Sequence, residues 1–350
     1  MNPEIVKRFR LLAGVLSLLV LGAAGAGVWF YLQLRASLPQ LDGDAVVPGL
    51  TAPITVERDA LGVPTLRGGT RADVARALGF VHAQDRFFQM DLLRRHAAGE
   101  LAELFGRPAL DHDKAVRVHE FRRIARTVLA GLAPPERALL QAYADGVNAG
   151  LHALRARPFE YIVLRATPQP WKPEDSVLVI YAMTLDLQDG GRYERSLAAV
   201  RDAYGLAGLN FFAPTATPDD AALDGSTAPL PPVPSPKVID LRLSAGRHFP
   251  VLPAPSGDLV SAGSNAFALS GAHTLTGGAM LANDMHLALR VPNIWYRASL
   301  LWRAEPASPF DPRISNYAIT GVTLPGAPIV VAGSNGHIAW GFTNAYVDTS

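Results

Sequence analysis

The dipeptide Gly263-Ser264 opens a stretch, GSNAFALSGAHTLTGGAMLANDMHL, whose residue types permit hydrolytic chemistry. If a chain is cut so that a serine becomes its first residue, the serine's own α-amine can act as the base for its hydroxyl. A free α-amine has a pKa of about 7.7 to 8, which suits a general base. Gly263 would allow the strained backbone geometry that attack by the Ser264 hydroxyl on the preceding carbonyl requires. The pair is therefore compatible with a site of self-cleavage, but Gly-Ser pairs are common in plain linkers, so the dipeptide alone does not predict one.

Composition and motifs exclude several other kinds of chemistry. The sequence has no cysteine, which excludes disulfides, cysteine-type zinc clusters and thiol nucleophiles. It contains no G-x-S-x-G, S-x-x-K, H-E-x-x-H or Walker A pattern. A net charge of +1 gives no sign of a nucleic-acid surface, while 49% apolar and 18% charged residues indicate a folded core.

The N-terminus carries a segment long enough to cross a membrane. Residues 1–10 form a basic flank, and residues 11–34, LLAGVLSLLVLGAAGAGVWFYLQL, are uncharged. A helix of roughly 20 apolar residues spans a bilayer, and the basic flank predicts a cytoplasmic N-terminus. A cleaved signal peptide is the rival interpretation because residues 24–26 resemble an A-x-A site, but the apolar run continues beyond them and favours an inner-membrane anchor. Both interpretations direct the rest of the chain to the periplasm.

The pattern along the rest of the chain changes at a Pro-rich segment. Thr70 is a predicted N-cap three residues before Asp73, and Gly106 is expected to follow the helix that begins there. Residues 214–263 include STAPLPPVPSPK, which suits neither a helix interior nor a central strand and predicts a spacer. After Ser264 the apolar period becomes two. Helices, spacer and strands in this order predict an α+β protein. Further helices are expected near residues 116–130, 134–156 and 173–203.

Six stretches in fixed order resemble the penicillin acylase (penicillin amidase) family of N-terminal-nucleophile hydrolases. They are RDALGVPTLRG, ALGFVHAQDRFFQMDLLRRHAAGELAELFG, AYADGVNAGL, PQPWKPEDSVLV, SNAFALSGAHTLTGGAMLANDMHLALRVPNIWY and GSNGHIAWGFTN. The resemblance implies a four-layer αββα sandwich. It also implies a precursor with a mostly helical α segment at residues 36–213, a removable spacer at 214–263 and a β segment from residue 264 to 350.

The resemblance also implies a mechanism. Ser264 would attack the carbonyl of an N-acyl amide to form an acyl-enzyme, with its freed α-amine as the base and no cofactor needed for the chemistry. His286 lies where the family has Gln or His beside the nucleophile, so it is expected to position the hydroxyl. The backbone N–H of Asn344 follows the IAWGxT motif and is expected to be an oxyanion donor. Losing one such donor costs about 2.7 to 4 kcal/mol in the barrier.

Many members of the family bind a structural calcium ion, and the resemblance implies two carboxylate ligands for it. They are Asp348 and Glu194, whose oxygen atoms suit calcium. A solvated helix carboxylate is an equal alternative for Glu194.

The resemblance further implies an acyl pocket lined by apolar side chains. The matching positions are Met183, Leu187, Leu287, Val331 and Ala332. Aliphatic and small residues at these positions favour an aliphatic acyl chain, as in acyl-homoserine lactone acylases, although they also suit an ordinary core. The small-molecule substrate is expected to be a β-lactam antibiotic, an N-acyl-homoserine lactone or a related N-acyl amide.

The resemblance covers the chain from about residue 45 to its end at Ser350. The family's β segments are much longer than residues 264–350, so the 350-residue chain by itself is expected to be truncated, inactive and incomplete in its core. The rival function is a catalytically silent, membrane-anchored binding or scaffold protein with residues 214–263 as a plain linker. A serine hydrolase with a catalytic triad is a third possibility, but no motif supports it.

Overall fold

The computed structural model of the chain describes residues 3–188, 191–215, 222, 224–227, 230–239, 263–287, 289–303 and 316–344. The described residues divide into two compact units. The first lies within Met1–Thr184 and Ser264–Thr343, and the second within Leu185–Gly263 and Asn344–Ser350.

The chain begins with helix α1, Pro3–Ala36. The helix is long and apolar enough to cross a membrane, and its most apolar stretch is not covered by the rest of the chain. A signal sequence near an N-terminus has the same properties, so the helix identifies one candidate membrane segment and no more.

Helix α2, Arg71–Ala98, is the central helix of the first unit. It begins as predicted, because the Thr70 hydroxyl oxygen accepts a hydrogen bond from the Asp73 N–H at 3.1 Å. The predicted end at Gly106 is wrong. The helix stops before Gly99, which adopts the left-handed conformation at φ 66° and donates its N–H to the last turn.

Shorter helices follow α2. The helix expected near 173–203 is two helices, because Gly191 has a left-handed φ of 69° at the start of the second. The bounds are Ala102–Phe105 for α3, Leu110–Arg117 for α4, Phe121–Gly131 for α5, Pro134–Ala153 for α6, Phe159–Val163 for α7, Pro173–Leu187 for α8 and Arg192–Phe212 for α9.

Helices α2 and α6 pack backbone against backbone. A Cβ atom added at Gly146 would lie 1.9 Å from the Arg76 carbonyl oxygen, and one at Gly150 would lie 2.3 Å from that of Phe80. No side chain fits at such distances, so glycine at these positions permits the close crossing.

The first unit contains a six-stranded mixed sheet in the order β1-β2-β5-β6-β7-β8. Strands β2 and β5 are parallel, with Leu66 opposite Leu300, and the other neighbours are antiparallel. The bounds are Thr55–Arg58, Pro64–Gly68, Tyr296–Arg303, Asn316–Thr323, Val330–Ser334 and Ala339–Trp340 for β1, β2, β5, β6, β7 and β8.

The core of the first unit lies where α2 covers this sheet. Tyr296, Ala298 and Leu300 alternate along β5 with more exposed residues and are buried, as the period of two requires. They join one apolar cluster with Leu78 and Met90 of α2. Burying the leucine and methionine side chains of this cluster contributes about 1.5 to 3 kcal/mol each.

A second sheet carries the residues of greatest chemical interest. Strands β3, Gly263–Leu269, and β4, Met280–His286, pair with each other. Helices and both sheets together confirm the α+β prediction.

Candidate active site

Ser264 is the second residue of β3 and is half-buried. Its strand pairs with β4, which ends at His286. The Asn283 side chain, near the end of β4, donates to the carbonyl oxygen of Asn265 at 3.1 Å. The end of β4 therefore lies beside the beginning of β3, next to the residue that follows Ser264.

Asn283 also binds a third segment. Its Nδ2 donates to the Phe342 carbonyl oxygen at 3.1 Å, and its Oδ1 accepts from the Phe342 N–H at 3.2 Å. Residue 342 lies between β8 and the candidate oxyanion donor Asn344. Sequence reasoning did not single out Asn283, although Asn and Asp are depleted in strands and the pair Asn283-Asp284 within β4 is a usable signal.

His286 has an identified carboxylate neighbour. Its Nε2 lies 3.1 Å from Oδ2 of Asp284, and both side chains are exposed. Residues i and i+2 of a strand project to the same face, which accounts for the pairing. The expected contact between His286 and the Ser264 hydroxyl stays a prediction.

Asn344 is half-buried and lies outside regular secondary structure. It follows the tryptophan of β8 and the Gly341-Phe342-Thr343 segment, as the motif requires. Its role as an oxyanion donor stays a prediction.

Three of the predicted pocket residues belong to one region of the first unit. Met183, Leu287 and Val331 are partly buried and pack against the apolar core. Ala332 lies in β7 opposite Val322 of β6. Leu187 closes α8 and is half-buried within the second unit.

The predicted calcium ligands do not form a described site. Glu194 is exposed in the first turn of α9, and Asp348 lies outside the described residues. Among the residues that the structure describes, no three His, Asp or Glu side chains cluster in a way that could hold a metal ion. No step of the chemistry is assigned to calcium.

A buried chain of hydrogen bonds joins the six-stranded sheet to helices α2 and α6. The Gly326 N–H donates to Tyr143 Oη at 2.9 Å, and that hydroxyl donates to His82 Nδ1 at 2.8 Å. His82 Nε2–H donates to Thr323 Oγ1 at 3.0 Å, because the Thr323 hydroxyl itself donates to the Tyr296 carbonyl at 2.7 Å. Every member has a partner, and the chain joins α2 and α6 to β5, β6 and the turn that leads to β7.

His82 should make stability depend on pH. Burial, and secondarily the charge of Arg86, lowers the pKa of His82 from its ordinary 6.5 to about 3. Below pH 6.5 the unfolded state therefore binds a proton that the folded state does not. The stability that neutral His82 provides is fully present above pH 6.5 and falls by about 1.4 kcal/mol per pH unit towards pH 3.

Melting temperatures of the wild type and His82→Gln, measured in detergent from pH 7.5 to 4, test this expectation. The wild type should be the more stable at pH 7.5, and the difference should shrink as the pH falls. His152→Gln, at an exposed position of α6 outside the buried chain of hydrogen bonds, is the control for replacing a histidine. If the difference in melting temperature between the wild type and His82→Gln stays constant with pH, His82 is not neutral in the folded protein over this range, contrary to the expectation.

Comparison with known families gives a match over most of the chain. The family model described as penicillin amidase matches residues 53–350. The penicillin acylase 2 proenzyme of Pseudomonas sp. strain SE83 is 32% identical over 325 residues, which are 90% of this chain and 39% of that protein. The acyl-homoserine lactone acylase QuiP of Pseudomonas aeruginosa is 33% identical over 334 residues, 93% of this chain and 37% of that protein.

The chain thus spans about two fifths of the length of these two relatives. Among solved structures, a thermostable penicillin G acylase from Alcaligenes faecalis is 28% identical, and the match covers 53% of this chain and 98% of that one. Its TM-score is 0.43, which is too low to add to the description of the fold.

Proposed function

Because the chain belongs to the penicillin amidase family, we propose that the protein is an N-acyl amide hydrolase that uses Ser264 as an N-terminal nucleophile. The observation that carries this proposal is the family match itself, which runs through Gly263-Ser264 to the end of the chain. The position of Ser264 at the start of a strand, beside the end of β4, supports it.

Maturation begins with attack of the Ser264 hydroxyl oxygen on the carbonyl carbon of Gly263. The C–N bond of Gly263-Ser264 breaks, an ester to the Ser264 oxygen forms, and the α-amine of Ser264 takes up the proton. Water then hydrolyses the ester, which leaves a carboxylate on Gly263 and returns the hydroxyl to Ser264. The name of the Pseudomonas sp. relative, a proenzyme, supports processing of this kind.

Catalysis uses the same hydroxyl in the matured chain. The α-amine of Ser264 takes the hydroxyl proton as the oxygen attacks the substrate carbonyl, and it returns a proton to the departing amine. Water hydrolyses the resulting acyl-enzyme. His286 orients the hydroxyl, and the Asn344 N–H binds the oxyanion, which requires a donor about 2.7 to 3.1 Å from that oxygen.

We also propose the processed segments and the membrane location that the family resemblance implies. Residues 36–213 and the segment from Ser264 stay paired after removal of residues 214–263, in a four-layer αββα sandwich. Helix α1 holds the protein at the inner membrane, with the remainder in the periplasm, or is removed as a signal. The names of the relatives support penicillins or acyl-homoserine lactones as substrates.

Hydrolysis of two acyl amides tests the function. The protein, expressed from its own gene with its natural C-terminus, is incubated with the dodecanoyl and phenylacetyl amides of 4-nitroaniline. We expect release of 4-nitroaniline, with the higher kcat/KM for the dodecanoyl amide because the proposed pocket side chains are aliphatic or small. Matured protein that releases nothing from either amide or from an acyl-homoserine lactone would instead indicate the non-catalytic scaffold.

A further inference from the structure

The Asn283 carboxamide bonds main-chain partners through both of its polar ends. A carboxamide has two N–H donors and a carbonyl oxygen that can accept up to two bonds. Both donated bonds end on backbone carbonyls, those of Asn265 and Phe342, at 3.1 Å, and the bond accepted from the Phe342 N–H is 3.2 Å long. Asn283 therefore contacts two segments that are distant in sequence through one rigid planar group.

The two bonds to Phe342 imitate strand pairing. In a hydrogen-bonded pair of antiparallel strands, each of two facing residues donates its N–H to the carbonyl oxygen of the other. The Asn283 carboxamide forms the same two bonds with the Phe342 backbone, donating one and accepting the other. Such a pair fixes both the position and the orientation of the Phe342 peptide groups.

Gly341 shows how tightly the segment passes over this side chain. A Cβ added at Gly341 would lie 2.7 Å from Asn283 Oδ1 and 2.8 Å from its Cβ and Cγ. These distances are shorter than real Cβ contacts, and Asn283 is too short to move away without breaking its bonds. Glycine at 341 is therefore required for the bonds that Asn283 makes to Phe342.

The two residues that Asn283 bonds lie close in sequence to the residues of the proposed reaction. Asn265 directly follows Ser264, and Phe342 precedes Asn344 by two residues. We propose that Asn283 is a positioning residue that holds β3, which carries the nucleophile, and residues 341–343, which lead to the oxyanion donor, at a fixed spacing within the first unit. This role rests on the proposed function of Ser264 and Asn344.

The expected size of the effect follows from catalytic geometry. Displacing a reacting group by about 1 Å can reduce the rate by about 100-fold. Asn283→Asp keeps the size of the side chain and can still accept from the Phe342 N–H. It loses both donors and places a carboxylate against the carbonyls of Asn265 and Phe342. The Phe342 segment should therefore shift away from β4, whereas β3 keeps its pairing with β4.

The chain offers a matched control of the same residue type. The Asn335 Oδ1 accepts from the N–H groups of His337 and Ile338, at 3.0 and 2.9 Å, in the turn between β7 and β8. Because both of these contacts need only an acceptor, Asn335→Asp should preserve both bonds. If replacing any backbone-bonded asparagine by aspartate changes the activity, both variants will show the change. A change caused by the loss of the two N–H donors will appear only in Asn283→Asp.

The test measures kcat and KM separately for the wild type, Asn283→Asp and Asn335→Asp, per mole of chain that begins at Ser264. We expect Asn283→Asp to lower kcat by about 100-fold with KM within about threefold of the wild type. Asn335→Asp should have wild-type constants. A purely structural role for Asn283 would lower the melting temperature but leave kcat per matured chain unchanged, and that result would overturn the proposed role.

Impaired maturation of Asn283→Asp does not prevent the measurement. The α segment can be co-expressed with a β segment that begins Met-Ser264, from which removal of the initiator methionine exposes the amine without self-cleavage. Equal kcat values for the wild type and Asn283→Asp in this form would overturn the positioning role while leaving the proposed function intact. A wild-type protein that neither matures nor hydrolyses amides would overturn both.

Discussion

Ser264→Ala should leave the precursor uncut and reduce N-acyl amide hydrolysis by at least about 10⁴-fold, the scale of loss seen when a serine nucleophile is removed. Alanine has no oxygen to attack the Gly263 carbonyl, so neither the ester nor the free α-amine can form. The nucleophile and its base are lost together. Gel analysis of maturation and the dodecanoyl 4-nitroanilide assay measure the two effects.

Ser270→Ala is the control for this substitution. Ser270 is exposed and lies just after β3, outside the proposed reaction centre. It should mature and hydrolyse amides like the wild type. Retention of cleavage or of more than about one hundredth of the activity by Ser264→Ala would exclude Ser264 as the nucleophile.

Asp91→Asn should lower the free energy of unfolding by about 3 to 5 kcal/mol, which is typical when one partner of a buried ion pair is removed. Asp91 is fully buried. Its carboxylate accepts from Arg94 Nε at 2.7 Å, Arg95 Nε at 3.0 Å and Tyr161 Oη at 2.5 Å. An amide removes the charge and turns an N–H₂ group towards one of these donors, so at least one bond is lost. Arg94 and Arg95 each lose one of two carboxylate partners and keep only Asp175 and Glu103, respectively.

Thermal unfolding in detergent measures this effect, and a decrease of about 4 to 7 °C in melting temperature corresponds to the expected loss for a chain of 350 residues. Asp111 supplies the exposed control. Its side chain is fully exposed and lies 3.9 Å from Lys114, and such surface pairs contribute only about 0 to 1 kcal/mol. A melting temperature of Asp91→Asn within about 2 °C of the Asp111→Asn value would contradict the role of the buried cluster.

Local sequence patterns predict the beginning of α2 but not its end. Thr70 and Asp73 form the predicted cap of α2. The predicted end at Gly106 is wrong because the apolar pattern continues past Gly99 into α3. The pairing of Thr65 in β2 with Ser299 in β5 was not predicted. Parallel pairing between distant segments depends on tertiary packing, which no local period encodes.

The residues of the candidate site likewise differ in whether the sequence alone points to them. Ser264 could be proposed as the nucleophile from the family resemblance, because the Gly263-Ser264 dipeptide alone also suits a plain linker. Asn283 could not, because its importance lies in contacts with Asn265 and Phe342 that exist only after folding. Glu194 and Asp348, the predicted calcium ligands, stay predictions, as does the role of His286.

N-terminal sequencing of the mature polypeptides tests the central claim most directly. The protein is expressed from its own gene with its natural C-terminus, and each purified chain is sequenced by Edman degradation. A chain that begins Ser-Asn-Ala-Phe-Ala is the predicted result, because it shows cleavage between Gly263 and Ser264 and a free amine on the proposed nucleophile. A single chain that runs uncut through Ser264 would contradict the claim, since the amine needed as the base would remain in a peptide bond.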